Sequence, residues 1–139
     1  METQLHLVFS GTCNEAFAFY ETTFGIKRIM TMKYGDAPGG FPVPEGAKDL
    51  VMHTAMKLGS ITLMGCDAPP GPKPAMGGFN ISLSLADEAE VKRLFAELSE
   101  GGSVQMPMQP TFWSPMFGMC TDKFGVEWMV GIPGPQPNA

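Results

Sequence analysis

Positive charge is scarce in this sequence. Its 139 residues include 9 Lys and Arg against 14 Asp and Glu, which gives a formal net charge of −5 at pH 7. A protein that binds nucleic acid needs a positive surface facing the phosphate backbone, and no segment supplies one. We therefore expect no nucleic-acid partner.

Long apolar runs are also missing. A transmembrane helix takes about 20 consecutive apolar residues, and no segment approaches that length. The first residues, Met1 to Gln4, lack the basic start and apolar stretch of a signal peptide. We expect a cytoplasmic protein that makes no contact with a membrane.

Cysteine is rare and unpaired. Cys13, Cys66 and Cys120 are far apart, and the sequence contains no Cys-x-x-Cys pair. This spacing argues against both a disulfide framework and a zinc cluster. We expect the three cysteines to be reduced and buried, each packed as a small hydrophobic side chain.

The elements that the sequence predicts occur in the same order twice. Apolar residues at helical spacing predict one helix that ends at Gly25, with Thr12 or Asn14 as its cap, and a second helix capped by Asp87. Alternation predicts strands at residues 4–10, 26–34, 50–58 and 60–65 in the first half and at 79–85, 104–109, 117–121 and 126–130 in the second. Each half thus reads strand, helix and three strands, which is an internal repeat.

A stretch rich in Pro and Gly divides the two halves. We expect a single domain over residues 1–139, with modules 1–66 and 79–131, a linker at 67–78 and a flexible tail at 132–139.

Local motifs accompany the repeat. They are Ala16-Phe17-Ala18-Phe19-Tyr20 with Phe24-Gly25, Met52-His53, the run from Leu63 to Gly71, Thr111-Phe112-Trp113, and the run from Thr121 to Met129. With the duplicated βαβββ unit, these motifs resemble the PhnB-like branch of the vicinal oxygen chelate superfamily, which includes glyoxalase I, extradiol dioxygenases and bleomycin-resistance proteins. The resemblance implies an α+β fold in which two tandem βαβββ modules form a curved mixed sheet around a cup. It also implies a homodimer.

The PhnB-like branch carries an old demethylubiquinone methyltransferase label, which the residues do not support. Doubly wound enzymes that use adenosylmethionine need a Gly-rich turn between a strand and a helix. The turn at Gly11 to Asn14 has one glycine, and the Gly-rich stretches from Gly35 and from Gly71 lead into strands. We expect no methyl transfer.

In this superfamily each module places one metal ligand on its first strand and one on its last. The resemblance implies that the first-strand ligand positions are His6 and Asn80. It implies that the last-strand positions are Leu63 and Met129. These two residues are 66 apart, as are Gly59 and Gly125, the glycines of the last hairpin in each half. Among these four, His6 alone is a strong ligand for a divalent ion, because leucine has no donor atom and a thioether is soft. We therefore expect no metal and no other cofactor.

Two further residues keep a metal alternative open. If a divalent ion binds, we expect its ligands to be His6, His53 and Glu127. The competing interpretations are a solvated carboxylate at the end of a strand for Glu127 and a hydrogen-bonded side chain on a half-buried strand for His53.

Polar side chains on the second module's first strand predict a ligand cavity. Ile81 and Leu83 would pack against the helix, which leaves Asn80, Ser82 and Ser84 on the opposite face. Indole rings would add walls, although tryptophan also fills cores. The residues that we expect to line the cavity are His6, His53, Asn80, Ser82, Trp113 and Trp128.

These observations favour a small-molecule-binding PhnB-like protein without the usual catalytic metal site. One alternative is a metal-dependent lyase, isomerase or dioxygenase of the same superfamily. A second alternative is a drug-sequestering resistance protein. The residues identify neither the ligand nor a catalytic group, so whether the protein is an enzyme stays open.

Overall fold

The structure is a computed structural model that describes residues 1–72 and 75–135. The chain divides into two units, Met1–Ala75 and Met76–Ala139. The strands are β1 (Gln4–Phe9), β2 (Met30–Lys33), β3 (Val51–Leu58), β4 (Ile61–Asp67), β5 (Ile81–Ser84), β6 (Ser103–Gln109), β7 (Phe117–Thr121) and β8 (Glu127–Gly131). The helices are α1 (Cys13–Phe24) and α2 (Glu88–Ser99), and a short 3₁₀ turn spans Tyr34–Asp36. Within the described ranges, no helix has the length and apolar character needed to cross a membrane.

The first unit contains a mixed four-stranded sheet in the order β1-β4-β3-β2, with β1 and β4 parallel. Helix α1 packs on one face, where the rings of Phe17 and Phe9 meet edge to face with centroids 6.4 Å apart. Gly65 of β4 permits this packing, because a Cβ atom there would lie 2.5 Å from the Phe17 ring. The alternation along β1 therefore buries Leu7 and Phe9 beneath the helix and puts His6 on the open face.

The second unit repeats this arrangement in the order β5-β8-β7-β6, with β5 and β8 parallel. Helix α2 buries Val91, Leu94, Phe95 and Leu98. The Phe95 ring lies over Gly118 of β7, where an added Cβ atom would come within 2.8 Å of it. Two similar βαβββ modules, each with a mixed sheet and one helix, confirm the predicted α+β fold class.

The two helices begin in different ways. Asp87 caps α2 as predicted, since its Oδ1 accepts the backbone N–H of Ala89 at 2.9 Å. The side chain of Thr12, in the cap position of α1, makes no capping hydrogen bond. Asp67 at the end of β4 takes that role, because its Oδ1 accepts the N–H groups of Gly11 and Cys13 at 2.9 and 3.0 Å. Thr12 is thus the N-cap residue, one of the two predicted, but the prediction that its side chain caps α1 is wrong.

The second strand is shorter than the predicted range of 26–34, since β2 begins at Met30. The cause is Arg28, whose backbone N–H donates to the Glu21 carboxylate at 2.9 Å and whose Nε pairs with the same carboxylate at 2.8 Å. These contacts hold Arg28 against the end of α1, and bonding to β3 begins with Ile29, whose N–H donates to the Ala55 carbonyl at 2.8 Å.

The chain beyond β8 is fixed where it leaves the sheet. The N–H of Ile132, the first residue of the predicted tail, donates to the Met116 carbonyl at 2.9 Å. Residues 136–139 of that tail and residues 73–74 of the predicted linker lie outside the described residues.

Candidate functional site

The open face of the first sheet carries both histidines. His6 on β1 lies beside Met64 of β4, and His53 on β3 lies beside Met32 of β2. Partners in register point to the same side of a sheet, so each imidazole has a thioether as its neighbour. The two imidazole rings lean toward each other, with centroids 6.2 Å apart and planes inclined by 21°.

Neither imidazole has a hydrogen-bond partner within residues 1–72 and 75–135. Partial burial and, to a lesser extent, the charge of His53 lower the pKa of His6 below its ordinary value of 6.5. The His6 imidazole is therefore neutral at physiological pH, and a ring nitrogen keeps an available lone pair.

The residues at the expected metal positions do not fit a divalent ion. Leu63 pairs with Leu5 and is fully buried beneath α1, so its expected place in the cup is wrong. Met64 lies opposite His6 instead. In the second unit, Met129 lies opposite Ser82, because Asn80 precedes β5. The first unit thus offers an imidazole and a thioether at these positions and the second a hydroxyl and a thioether, and neither set has the carboxylates and additional imidazoles that zinc, nickel, iron or manganese require.

The alternative ligand set is divided between the units. His6 and His53 lie in the first unit, whereas Glu127 is the half-buried first residue of β8 in the second. Among the described residues, no group of three or more His, Cys, Asp or Glu side chains could hold a metal ion.

The second unit contains a pocket of about 440 Å³ beside Trp113. Ser82 and Ser84 on the open face of β5 form its floor. The rings of Trp113 and Phe117 meet edge to face with centroids 5.3 Å apart and form an aromatic wall. The complete lining is Ser82, Leu83, Ser84, Trp113, Ser114, Phe117, Met129, Gly131, Ile132, Pro133 and Gly134.

Ser114 positions the aromatic wall, and sequence reasoning missed it. The hydroxyl of this buried serine donates to the Ile132 carbonyl and accepts the Met116 N–H at 3.2 Å. The backbone of Thr111 adds a bond of 2.9 Å to the Ser114 carbonyl. These bonds tie the loop that carries Trp113 to the chain that leaves β8. The spacing Thr111-x-x-Ser114 is the local signal that could have indicated such a turn.

Four of the six predicted cavity residues do not line this pocket, since His6 and His53 lie in the first unit and Asn80 and Trp128 lie elsewhere in the second. Trp128 is fully buried on the α2 side of the sheet, and its Nε1 donates to Asp122 Oδ2 at 2.9 Å. Successive strand residues face opposite sides, so Trp128 points away from its neighbour Met129, and its predicted place in the cavity is wrong. Asn80 is exposed before β5 begins. The structure thus brings Ser82 and Trp113 together in the second unit, and His6 and His53 together in the first.

The chain is similar to known proteins over nearly its whole length. The sequence pattern of the Glyoxalase/Bleomycin resistance protein/Dioxygenase superfamily matches residues 3–130. Protein YjdN of Escherichia coli (strain K12) is 32% identical over an alignment 144 positions long, which covers 96% of each chain. The crystal structure of protein PA1353 from Pseudomonas aeruginosa is 42% identical, with a TM-score of 0.87 over 96% of this chain and 98% of that one.

A structure titled putative 3-demethylubiquinone-9 3-methyltransferase, PhnB protein, from Bacillus cereus is 22% identical. Its TM-score is 0.80, over 95% of this chain and 99% of that one. At this level of identity, the likeness shows a shared fold.

Proposed function

Because the chain belongs to the Glyoxalase/Bleomycin resistance protein/Dioxygenase superfamily, we propose that it is a small-molecule-binding protein of the PhnB-like type. The observation that carries this proposal is the pocket beside Trp113. Its volume of about 440 Å³ falls in the range of small-molecule sites, and its mixture of aromatic walls with a few hydroxyls is typical of them.

The lining of the pocket favours one class of ligand. Trp113 and Phe117 offer ring faces and edges to a flat or partly aromatic compound. Ser82 and Ser84 offer hydroxyls that donate and accept hydrogen bonds. No charged side chain belongs to the lining of this described pocket. We propose an uncharged compound with a planar portion and one or two polar groups.

The proposed binding needs no divalent metal. The donors opposite His6 and Ser82 are the thioethers of Met64 and Met129, which suit hard or borderline ions poorly. The alternative, a metal-dependent lyase, isomerase or dioxygenase, would require one tight divalent site. Calorimetric titration distinguishes metal-free binding from a metal-dependent enzyme. The apo chain, purified without a histidine tag, is titrated with zinc, nickel, manganese and ferrous ions. One equivalent bound with submicromolar affinity would overturn the metal-free proposal.

We propose no methyltransferase activity for this protein. The chain passes from β1 to α1 through Ser10, Gly11 and Thr12, and from β5 to α2 through Leu85, Ala86 and Asp87. Neither connection is the Gly-rich turn that would receive adenosylmethionine at a helix N-terminus.

A ligand screen by thermal shift tests the proposal. Compounds that bind should raise the Tm of the wild-type chain, since they bind the folded state alone. Trp113→Ala and Ser82→Ala should each abolish or reduce that shift. The matched control is Phe41→Ala, which removes a comparably exposed aromatic side chain in the other unit. Ligands whose shift survives Trp113→Ala would bind elsewhere and contradict the assignment.

Mass spectrometry of the bound compound then separates binding from catalysis. A compound recovered unchanged at one per chain supports a binding or drug-sequestering role. A compound recovered in altered form would make the protein an enzyme.

We also propose that the protein is a cytoplasmic homodimer. Three cysteines without a disulfide suit a reducing compartment, and burial raises the pKa of the Cys120 thiol to about 11. The homodimer rests on the superfamily resemblance. Light scattering coupled to size exclusion should give twice the 15.0 kDa chain mass, and a mass of one chain would contradict it.

A further inference from the structure

Four neighbouring strands of the first sheet each place one metal-binding donor on the open face. We call His6 of β1, Met64 of β4, His53 of β3 and Met32 of β2 the histidine–methionine row. The four donors form two pairs that follow a diagonal across the sheet: His6 is in register with Met64, and His53 with Met32. The partner of Met64 on β3 is Ala55, so the second pair is displaced from the first by two residues along the strands. β4 lies between β1 and β3 in the sheet, so Met64 comes from the strand between the two histidines. Met32 on β2 and His53 on β3 are on neither the first nor the last strand of the module, where the superfamily resemblance places metal ligands.

The spacing of the imidazoles suits an ion held between them. A metal–nitrogen bond is about 2 Å long and a ring nitrogen lies about 1 Å from its centroid, so two imidazoles on opposite sides of an ion have centroids about 6 Å apart. The observed centroid separation is 6.2 Å in a stacked arrangement with the planes inclined by 21°, so binding requires each ring to turn about its Cβ–Cγ bond until a nitrogen faces the ion. Because neither ring has a hydrogen-bond partner in the described part of the chain, a ring nitrogen of each is available to an ion.

The donor types select the ion. Thioethers are soft ligands that select copper(I), and imidazole suits copper as well. Met32 and Met64 are half-buried, which shields their sulfur atoms from competition with water. Every donor in the row is uncharged when its imidazole is neutral, which favours a monovalent ion over a divalent one. Hard ions such as magnesium, calcium or manganese prefer carboxylate and carbonyl oxygens, which the row does not offer.

We propose that the open face of the first sheet binds one copper(I) ion through His6, His53 and Met64, with Met32 as a neighbouring fourth donor. All of its donors lie in the first unit, whereas the pocket beside Trp113 is lined by residues of the second.

Anaerobic titration of the full-length, tag-free apo chain tests this site. Copper(I) is added in competition with a chromophoric chelator such as bathocuproine disulfonate, which reports the free ion. We expect one equivalent per chain to be retained against the chelator. His6→Ala and His53→Ala should each weaken binding by more than about tenfold, because losing even an outer partner of a metal ligand costs about 10–100-fold. Met64→Leu, which removes the sulfur and keeps the volume, should weaken it by several-fold.

Two control variants make the result specific. Met119→Leu removes another half-buried strand methionine, in the second unit, and should leave the copper(I) affinity unchanged. Cys66→Ser removes a thiol two residues beyond Met64 and should also retain binding. Circular dichroism of each variant confirms that the fold persists.

Three outcomes would overturn the proposal. The first is the absence of a retained equivalent in the wild-type chain. The second is binding that survives both histidine variants but is lost in Cys66→Ser, which would indicate a thiolate site. The third is zinc(II) binding at the same two histidines that is tighter than copper(I) binding, which would contradict selection by the thioethers. Side-chain nitrogen shifts of His6 and His53 on adding silver(I), a redox-inert monovalent substitute, should support the assignment independently.

Discussion

The Asp67 carboxylate accepts the backbone N–H of Cys13 at 3.0 Å, across 54 residues of sequence. The same Oδ1 accepts the N–H of Gly11, and Oδ2 accepts the N–H of Val51 at 3.0 Å. One buried side chain at the end of β4 thus fixes the start of α1 and the start of β3. Because α1 defines the covered face of the sheet, this carboxylate helps to decide which face remains open for His6 and His53.

Asp67→Asn should therefore destabilise the fold. The amide retains one oxygen, but its NH₂ group would face at least one of the donors that the carboxylate now satisfies. A buried donor left without an acceptor costs about 1–3 kcal/mol, and the free energy of unfolding from urea denaturation should fall by that amount. Asp36→Asn, at an exposed position, is the control and should change little. Equal stability of the two variants would show that Asp67 does not anchor these elements.

Gly65→Ala should destabilise the first unit for a steric reason. The added methyl would lie 2.5 Å from Phe17 and 3.2 Å from the Cys13 sulfur, and overpacking of this kind costs about 1–3 kcal/mol. Gly39→Ala, where nothing lies within 4 Å of the new methyl, is the matched control. Thermal and urea denaturation measure both. The double variant Gly65→Ala with Phe17→Leu should recover part of the loss, and the absence of any recovery would argue against this clash.

Local patterns predicted the strands and their faces well. Alternation along β1 separates His6 from Leu7, and alternation along β5 separates Ser82 from Ile81, as the structure shows. The cap of α2 could also be predicted, because Asp87 bonds to a residue two positions later. The cap of α1 could not, since Asp67 is far from it in sequence and a strand residue gives no capping signal.

The error at Leu63 has a geometric cause. The prediction matches the two modules at Gly59 and Gly125, which assumes that the turns before their last strands have equal length. In the structure, Leu58 pairs with Ile61 across a two-residue turn, whereas Thr121 pairs with Glu127 across a five-residue loop. A shift of one residue moves a strand side chain to the opposite face, so Leu63 lies beneath α1 while Met129 lies on the open face.

The two tryptophans should differ in their optical properties. Trp113 is 43% exposed and Trp128 is fully buried. In the variant Trp128→Phe, the remaining emission should be red-shifted and readily quenched by acrylamide. In Trp113→Phe, it should be blue-shifted and resistant to quenching. Similar quenching constants for the two variants would contradict the assignment of Trp128 to the core.

The same pair should differ in stability. Trp128→Phe leaves Asp122 Oδ2 without its indole donor and should lower the free energy of unfolding by about 1–3 kcal/mol. Trp113→Phe keeps an aromatic ring at an exposed site and should change it by less than about 0.5 kcal/mol. Urea denaturation of both variants under identical conditions provides the comparison.

His6 should titrate below pH 6.5, because partial burial and the neighbouring His53 charge both disfavour its protonated form. NMR titration of the imidazole protons measures this pKa. His53→Gln removes the neighbouring charge and should raise the pKa of His6, while burial should keep it below the ordinary value. A pKa of His6 above 6.5 in the wild-type chain would contradict the geometry of the pair.

The lowered pKa of His6 also determines how stability depends on pH. Below about pH 6.5 the unfolded chain binds a proton at this residue more readily than the folded chain does, so protonation favours unfolding. The free energy of unfolding should therefore decrease as the pH falls through 6.5 and level off below the folded-state pKa of His6. Urea denaturation between about pH 8 and 5 measures the slope. His6→Gln removes the titrating group and should flatten it, whereas an unchanged slope would assign the pH dependence to other residues.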